Sequence, residues 1–432
     1  MNLADARRYL DEHVNLEATA GRWEGLSLER MGRLVEVLGN PQHAYPVIHV
    51  TGTNGKGSVV RMVTELLRAT GLSVGTYISP HLERLNERLA WDGQPIDDQA
   101  LAEAIATVAA IEPLAEVTPS YFEILTAAAF AWFADLAVDV AVVEVGLLGR
   151  FDATNVADGQ VAVLTNVGKD HTDGSPGWRP KIAEEKVGIV KLGSTFVLGE
   201  TAEDLRPVFA AAPADEFVLR HRDFDADINR VALGGRLVDL RAPGIEVEDV
   251  FVPLHGAHQG DNAAIALAAA QAFFGQPLDG DLVRDAFAGV KAPGRFEVVR
   301  REPTVVLDCA HNVDGALAAA QTLAEEFTLA GTVILVVGLL EGRDPAEMLD
   351  ALGAADAGFV VACAPPSPRA IPAPQVAAAA ESLGAVTESA PSVVEAVRRA
   401  LAVAGPEDLV LVAGSHYVGG EARSFLLADR DD

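Results

Sequence analysis

Cysteine is almost missing from this chain, with Cys309 and Cys363 the only two among 432 residues. Two thiols cannot staple a fold of this length, so a disulfide framework is excluded and a reducing compartment fits. Lysine is nearly as scarce. Only Lys56, Lys169, Lys181, Lys186, Lys191 and Lys291 are lysines, six of the 33 basic residues. A position that keeps lysine in an arginine-rich chain is a candidate for chemistry that needs an amine, the alternative being an ordinary surface residue. Long apolar runs are also absent, and the most apolar stretches, such as 262–274, are Ala-rich and shorter than a bilayer requires. The opening MNLADARRYLDEH is charged and lacks the apolar core of a secretory leader. The expectation is a cytoplasmic protein with no membrane partner.

Positive charge is short overall, and the formal net charge is −29. A phosphate backbone calls for a basic face, so nucleic acid is not expected as a partner. Small anions are still compatible, because a helix N-terminus or a bound metal supplies local positive charge. Half of the composition is apolar, and the length suffices for two or three domains with ample cores.

The stretch VTGTNGKGS at 50–58 has the parts of a phosphate loop at unusual spacing. The common ATP loop is G-x-x-x-x-G-K-[ST]. Here two residues separate Gly52 from Gly55-Lys56, and Gly57 stands between Lys56 and Ser58. The glycines let backbone N–H groups approach an anion, Lys56 adds a full charge and Ser58 a hydroxyl; the plainer reading is a turn with Ser58 as helix cap. The context is a strand at 45–51, the loop, a helical pattern at 58–70 and a second strand at 72–79. A buried helix at 121–133, Val-rich strands at 138–145 and 160–167, a helix at 182–190 and a strand at 194–198 continue an α/β order with a mostly parallel sheet. Short alternating runs at about 215–255 suggest an antiparallel insertion, and 262–274 returns to helix. After a boundary near 290–298, strands and helices alternate afresh to 413, and the Pro-rich ACAPPSPRAIPAP at 362–374 reads as a loop. We therefore expect residues 1–294 to form an ATP-binding domain of P-loop type and residues 295–432 a smaller, Rossmann-like α/β domain.

Three chemically capable side chains fall at predicted strand ends. Ser79 opens SPHL, Glu144 closes VVEVG and His171 lies in KDHTD. Open parallel sheets bind ligands at the carboxyl ends of their strands, so these groups can converge with the loop on Mg²⁺ and triphosphate. Taken singly, Glu144 also reads as a strand-end charge and His171 as a helix cap.

The motifs GTNGKGS, SPHL, EVGLLGRFDATN (144–155), DHTD (170–173), EEKVGI (184–189), HQGDNAA (258–264), PGRF (293–296), DCAHN (308–312) and GSHYVGGEAR (414–423) run in order along nearly the whole chain. Together the sequence resembles the folylpolyglutamate synthase/dihydrofolate synthase family, a branch of the Mur ligases. GTNGKGS with a later AHN is shared across that superfamily, whereas SPHL with GRFDATN is much more specific to the folate branch. The resemblance implies an ATP-dependent amide ligase that adds L-glutamate to folates, to dihydropteroate or to both, through an acyl phosphate. A polyglutamylating enzyme alone, a Mur-type ligase for another carboxylate and a non-catalytic nucleotide-binding regulator are the rival readings.

By matching motif, the resemblance assigns Thr53, Asn54, Gly55, Lys56, Gly57 and Ser58 to the ATP phosphates, with Asn262, Arg295 and Asp308 as further ATP contacts. It assigns Ser79 and Glu144 to one Mg²⁺ and His171 to a second, with Lys186 carbamylated beside them and His311 near the transferring phosphate. It places the pterin near Trp23, Glu24, Gly25 and Leu26, near Ser120, Tyr121, Phe122 and Glu123, and near Phe151, Asp152 and Ala153. Phe122 and Phe151 read equally as core packing. Leu148 stands where the family motif has a second glycine, and Val187 where it commonly has alanine. The partners implied are ATP, a folate or dihydropteroate and L-glutamate, with the protein a monomer.

Overall fold

The computed structural model describes residues 1–15, 17, 27–170, 172 and 174–428. Eight strands form the larger sheet: β1 (Val47–Thr51), β2 (Val74–Tyr77), β3 (Leu89–Trp91), β4 (Gln94–Pro95), β5 (Val140–Glu144), β6 (Gly159–Leu164), β7 (Thr195–Leu198) and β8 (Glu216–Leu219). Their spatial order is β4-β3-β2-β5-β1-β6-β7-β8. From β2 to β8 every pairing is parallel, and only β3 and β4 run antiparallel at one edge. The central strands are buried along their length, which explains why they read as Val-rich runs without alternation.

Helices cover both faces. Lys56–Ala69 and the Ala-rich His258–Phe274 pack on one side, in a cluster with Val59, Val63, Leu66, Ala264 and Leu267. Small alanine side chains let these helices approach closely. The other face is covered by Leu3–Asp11, Glu29–Val37, Asp98–Ala115 and Tyr121–Asp135. The first three of these helices were not anticipated from sequence.

The stretch at 215–255 divides. Its first strand, β8, joins the large sheet as a parallel edge, and only β9 (Asp225–Ala232), β10 (Gly235–Ala242) and β11 (Ile245–Val252) form a separate antiparallel sheet. Alternation is the right signature for those three strands, because one face packs on the core and the other meets solvent. The helix expected from 262 begins at His258, and the one expected at 182–190 spans Trp178–Val187.

Beyond the linker, β12 (Glu297–Arg301), β13 (Thr304–Leu307), β14 (Val333–Val337), β15 (Phe359–Cys363), β16 (Thr387–Ala390) and β17 (Leu409–Ala413) make a second sheet, ordered β12-β13-β17-β14-β15-β16. All its pairings but β12–β13 are parallel. Clusters of Val, Leu and Ala bury both faces under helices such as Val313–Glu326 and Val393–Val403.

A buried polar knot joins the small antiparallel sheet to this second unit. Glu326, whose side chain is only 1% exposed, accepts from Arg236 at 2.9 Å, from the Gly256 N–H at 2.7 Å and pairs with His255 at 2.7 Å. Arg236 also donates to the Asn229 side chain and carbonyl. Burial pushes the Glu326 carboxyl up, but His255, the Gly256 N–H and Arg236 outweigh it and hold it below its usual 4.5. A depressed carboxyl stabilises the fold above its unfolded pKa, and that contribution is lost as pH falls through the folded value. Glu326→Ala strands the Arg236 charge, so a loss of about 3–5 kcal/mol is expected in urea unfolding at neutral pH. Replacing both partners by Met and Leu is expected to cost much less; equal losses would show that the charge pairing is not the source.

Candidate active site at the strand ends

The carboxyl ends of β1, β2, β5 and β6 face the second unit across a crevice. The phosphate loop leaves β1, and two of its glycines are obligatory. Gly52 has φ +151°, and a Cβ there would meet Thr165 Oγ1 at 1.8 Å; Gly55 has φ +84°, and its Cβ would meet Asn262 Oδ1 at 2.5 Å. Gly57 differs from the sequence expectation, because it lies inside the helix Lys56–Ala69 with ordinary space around it. Gly55 is the N-cap, so Ser58 is a buried first-turn residue rather than the cap.

The loop is strapped to the end of β6. The Thr53 N–H donates to the Asn166 carbonyl and the Asn54 N–H to the Asn166 side chain, each at 3.0 Å. Thr165 Oγ1 donates to the Asn54 carbonyl at 2.7 Å. These two loop N–H groups are therefore spent on the fold, and the donors left to face an anion are those opening the helix at Gly55–Ser58. Lys56 Nζ donates to the carbonyls of Gly52 and Thr53, each at 3.2 Å.

Glu144 closes β5 with 5% exposure. Its one recorded donor among the described residues is the Ser79 N–H at 3.3 Å. Burial raises its pKa, opposed by Lys56, the Ser79 N–H, Arg295 and Arg61. A buried carboxylate so weakly hydrogen-bonded, with a serine beside it, is a donor set that suits a hard cation. Among the described residues no cluster of three His, Cys, Asp or Glu side chains is arranged to hold a metal. His171 lies outside the described residues, as do Trp23, Glu24, Gly25 and Leu26.

Lys186 is 4% exposed and donates from Nζ to the Gly52 carbonyl at 2.7 Å. Burial first, and the nearby Lys56 second, bring its pKa from 10.5 to about 7, against the opposing pull of Asp170.

Two cavities meet at the phosphate loop. One of about 340 Å³ is lined by Ser58, His258, Asn262, Arg295, Asp308 and Asp314 among others. Asp308 accepts from the Phe296 and Ala310 N–H groups, so it fixes the linker against the loop that carries His311. The second cavity, about 190 Å³, lies between the phosphate loop with Ser79 and Glu144 on one wall and Arg295, His311, Arg343, Arg369, Ser415, His416 and Tyr417 on the other. His311 Nδ1 donates to the Cys309 carbonyl, which leaves Nε2 as the accepting nitrogen, and burial lowers its pKa. His416 packs against it with the rings tilted and their centroids 5.2 Å apart, and accepts from Arg295.

The residues tied to the pterin are mostly engaged locally. Ser120 and Glu123 cap each other at the start of Tyr121–Asp135, and Glu123 also pairs with Arg30. Asp152 is buried and accepts from Leu147 and Thr154, capping the short helix that begins at Ala153. Tyr121 lies under the Arg88 guanidinium at 5.7 Å, and Phe122 packs on Tyr77 and Gly146. Phe151 is 43% exposed. Leu148, in place of a motif glycine, sits at φ +59° with its side chain buried and its carbonyl accepting from Thr51.

Asp170, Arg343, Arg369, His416 and Tyr417 were not assigned from sequence. DHTD and GSHY offered a signal as motifs; Arg343 and Arg369 offered none in an arginine-rich chain.

Two α/β units with a phosphate loop at the strand ends of the first are the architecture of an ATP-dependent ligase of the Mur type. Residues 50–270 match the Mur ligase middle domain and residues 294–416 the Mur ligase glutamate ligase domain. The chain is 39% identical to a dihydrofolate synthase/folylpolyglutamate synthase of Mycobacterium tuberculosis, with 93% of this chain and 90% of that protein covered. A Mycobacterium tuberculosis folylpolyglutamate synthase solved with ADP and AMPPCP superposes with a TM-score of 0.90 at 37% identity, covering 98% of each chain. A bifunctional folylpolyglutamate synthase/dihydrofolate synthase solved with Mn, AMPPNP and L-glutamate superposes with a TM-score of 0.85 at 30% identity, covering 99% and 98%. The chain belongs to the folylpolyglutamate synthase/dihydrofolate synthase family of Mur ligases.

Gly55→Ala forces a side chain into the left-handed region and against Asn262, so ADP affinity should fall about tenfold or more with the helix content preserved. Calorimetric titration with ADP checks this; unchanged affinity would remove the loop geometry as the nucleotide-binding feature.

Proposed function

We propose that the protein joins L-glutamate to the carboxylate of folates and of dihydropteroate, using ATP and a divalent cation. The observation that carries this is the narrow cavity between the units, where the phosphate loop and Glu144 face a cationic wall from the second sheet. A carboxylate is a poor electrophile. Phosphorylation by ATP gives it a leaving group, after which the glutamate amine attacks the acyl phosphate and phosphate departs. The residues of the chain position anions and offset charge while water is excluded.

In this reading the first-turn N–H groups and Lys56 hold the β- and γ-phosphates, while Asn262, Arg295 and Asp308 make further contacts to ATP. Ser79, Glu144 and His171 would hold two Mg²⁺ ions, which supply positive charge to the transferring phosphoryl group. His311, with Nε2 free to accept, stands beside that group. Lys186 is suited to become a carbamate, because its pKa near 7 leaves much of the amine neutral and able to add to CO₂ at neutral pH. Tyr121, Phe122, Phe151, Asp152 and Ala153, with Ser120 and Glu123, shape the acceptor side, the buried polar members through the backbone they fix. We further read a domain division at 294/295 and a monomeric, cytoplasmic enzyme. The two free, buried cysteines support a reducing compartment, and the net charge of −29 supports small molecules rather than nucleic acid as partners. Among the described residues no helix is long and apolar enough to cross a membrane.

ADP release by the purified protein with ATP, Mg²⁺ and L-glutamate is the direct test, with dihydropteroate and tetrahydrofolate offered separately. Turnover is expected with both; turnover with tetrahydrofolate alone would restrict the enzyme to polyglutamylation, and turnover with neither would overturn the reading. Lys186→Ala should lose at least about a hundredfold in kcat while keeping its fold. Partial recovery with added acetate is expected, and full turnover in the variant would remove the carbamate role.

A further inference from the structure

The motif GSHYVGGEAR at 414–423 marks the chain, yet only its opening residues line the cavity described above. The rest lies in the last helix, His416–Ala428, which packs beside β12. Its two glycines make room for a neighbour from the first unit. A Cβ on Gly420 would lie 1.9 Å from the Leu82 carbonyl oxygen, and one on Gly419 would lie 2.6 Å from Cys309 Sγ. The backbone of Leu82 therefore rests directly on this helix. Its side chain reaches the linker, where a Cβ on Gly294 would meet it at 3.1 Å. Leu82 follows shortly after Ser79, with only Pro80 and His81 between them.

Charge completes the contact further along the same helix. Arg423 Nη1 donates to one oxygen of Glu83, and Ser424 Oγ donates to the other at 2.7 Å. The rest of the guanidinium is taken by Glu297, which opens β12: Nε donates to it at 2.9 Å and Nη2 at 3.0 Å. Glu297 in turn accepts from the Gly294 N–H at 2.9 Å. Arg423 thus bridges a loop of the first unit, the linker and the second sheet. The side chains of Arg423, Glu83 and Glu297 are 19%, 22% and 24% exposed, so this bridge is less screened than a surface pair.

The loop that Arg423 grips is stiff. The Glu87 carboxylate collects the N–H groups of Leu82, Glu83 and Arg84 at 2.8, 2.9 and 2.7 Å. At the other end, the Ser79 N–H donates to Glu144. From Ser79 to Leu82 the chain spans at most about 10 Å. A short, stiff loop pinned by the second unit at Leu82–Glu83 and ending on Glu144 sets where the Ser79 hydroxyl stands.

We infer that Arg423 is a positioning residue for the divalent cation: through Glu83 it holds Ser79 beside Glu144 when the second unit is seated, and so makes cation binding depend on that seating. This rests on the reading of Ser79 and Glu144 as cation ligands. The arrangement has a chemical use. A cation held fully by the first unit alone would leave a polarised triphosphate open to water. A ligand loop completed from the second unit forms the full cation site only when both walls of the crevice are in place.

Calorimetric titration of ADP, with EDTA and with Mg²⁺, reads the gain in affinity that the cation supplies. Wild type is compared with Arg423→Gln, Arg423→Lys, Glu83→Gln and Glu297→Gln. Arg423→Gln should cut the gain ~10-fold, the scale of one charge-assisted contact, and Glu83→Gln should cut it in the same direction. Arg423→Lys should recover part of it. Affinity in EDTA should stay within about twofold of wild type in every variant, because sites without shared partners act independently. Glu297→Gln should keep the gain, since it removes only the partner inside the second unit and leaves the Glu83 contact. An equal loss in Glu297→Gln, or a matching fall of affinity in EDTA, would mark a general loosening and overturn the inference. If Arg423→Gln does not fold, Glu83→Gln against Glu297→Gln decides on the same terms. A wild type that gains nothing from Mg²⁺ overturns the cation reading itself, whereas a wild-type gain left intact by Arg423→Gln overturns the bridge alone.

Discussion

The carbonyl of Gly52 is the point on which the site turns. It receives Lys186 from a helix on one side and Lys56 from the phosphate loop on the other. Thr165 leaves no room for a side chain at this position, so the backbone cannot retreat from either amine. Lys186 is buried there with a second amine close by. Burial first and the neighbouring Lys56 second bring the pKa of Lys186 to about 7. The carboxylates on either side, Glu144 and Asp170, are placed by the ends of neighbouring strands, so the electrostatics of the site follow from the sheet order.

The two units meet through polar groups rather than a shared apolar core. Asn54 in the phosphate loop and Asn312 at the cap of Val313–Glu326 exchange two side-chain hydrogen bonds, at 3.2 and 2.9 Å. Arg343 holds Asp170, and Lys169 pairs with Glu347. At the far end of Val313–Glu326, Glu326 is locked to Arg236 and His255. One helix therefore touches the phosphate loop at its start and the small antiparallel sheet at its end. Such contacts fix orientation better than they add stability, because each polar group must be desolvated before it is paired. They also let the units separate without exposing a large apolar face, which suits a site that admits three substrates and releases three products.

Much of this was legible in the sequence, and the parts that were not have physical reasons. Strand–loop–helix order and the phosphate loop follow from buried Val-rich runs and glycine chemistry, Glu144 was singled out as an acid at a strand end, and Lys186 through its motif. Scarcity was informative for Lys56 and Lys186 but not for Lys181 or Lys291, whose side chains make no recorded polar contact among the described residues. Periodicity misplaced helix starts because Gly55 and Gly177, in left-handed conformations, are the caps, and a cap is a backbone property before it is a side-chain pattern. It also merged β8 with the antiparallel strands, since a half-buried edge strand alternates whichever way it pairs. The pterin-side residues were assigned through their motif, and the motif did not say that Ser120, Glu123 and Asp152 would be consumed as caps. Arg343 and Arg369 were invisible because their importance lies in what they do or do not pair with, which only the fold decides.

A chain with net charge −29 handling ATP, a folate and glutamate faces substrates of its own sign. Long-range attraction cannot recruit them. At physiological salt, charges more than ~8 Å from the crevice are largely screened, so the acidic surface matters less than the groups that line the cavity. Those groups carry a slight opposite bias: Lys56, Arg295, Arg343 and Arg369 line the cavity with Glu17, Glu144 and Asp170. Substrate anions meet cationic groups that the fold has not already paired. The acidic exterior and the cationic interior therefore act in sequence. The surface discourages nonspecific binding of nucleic acid, and the cavity binds anions only where the two units come close enough for a loop from one and a wall from the other to enclose them.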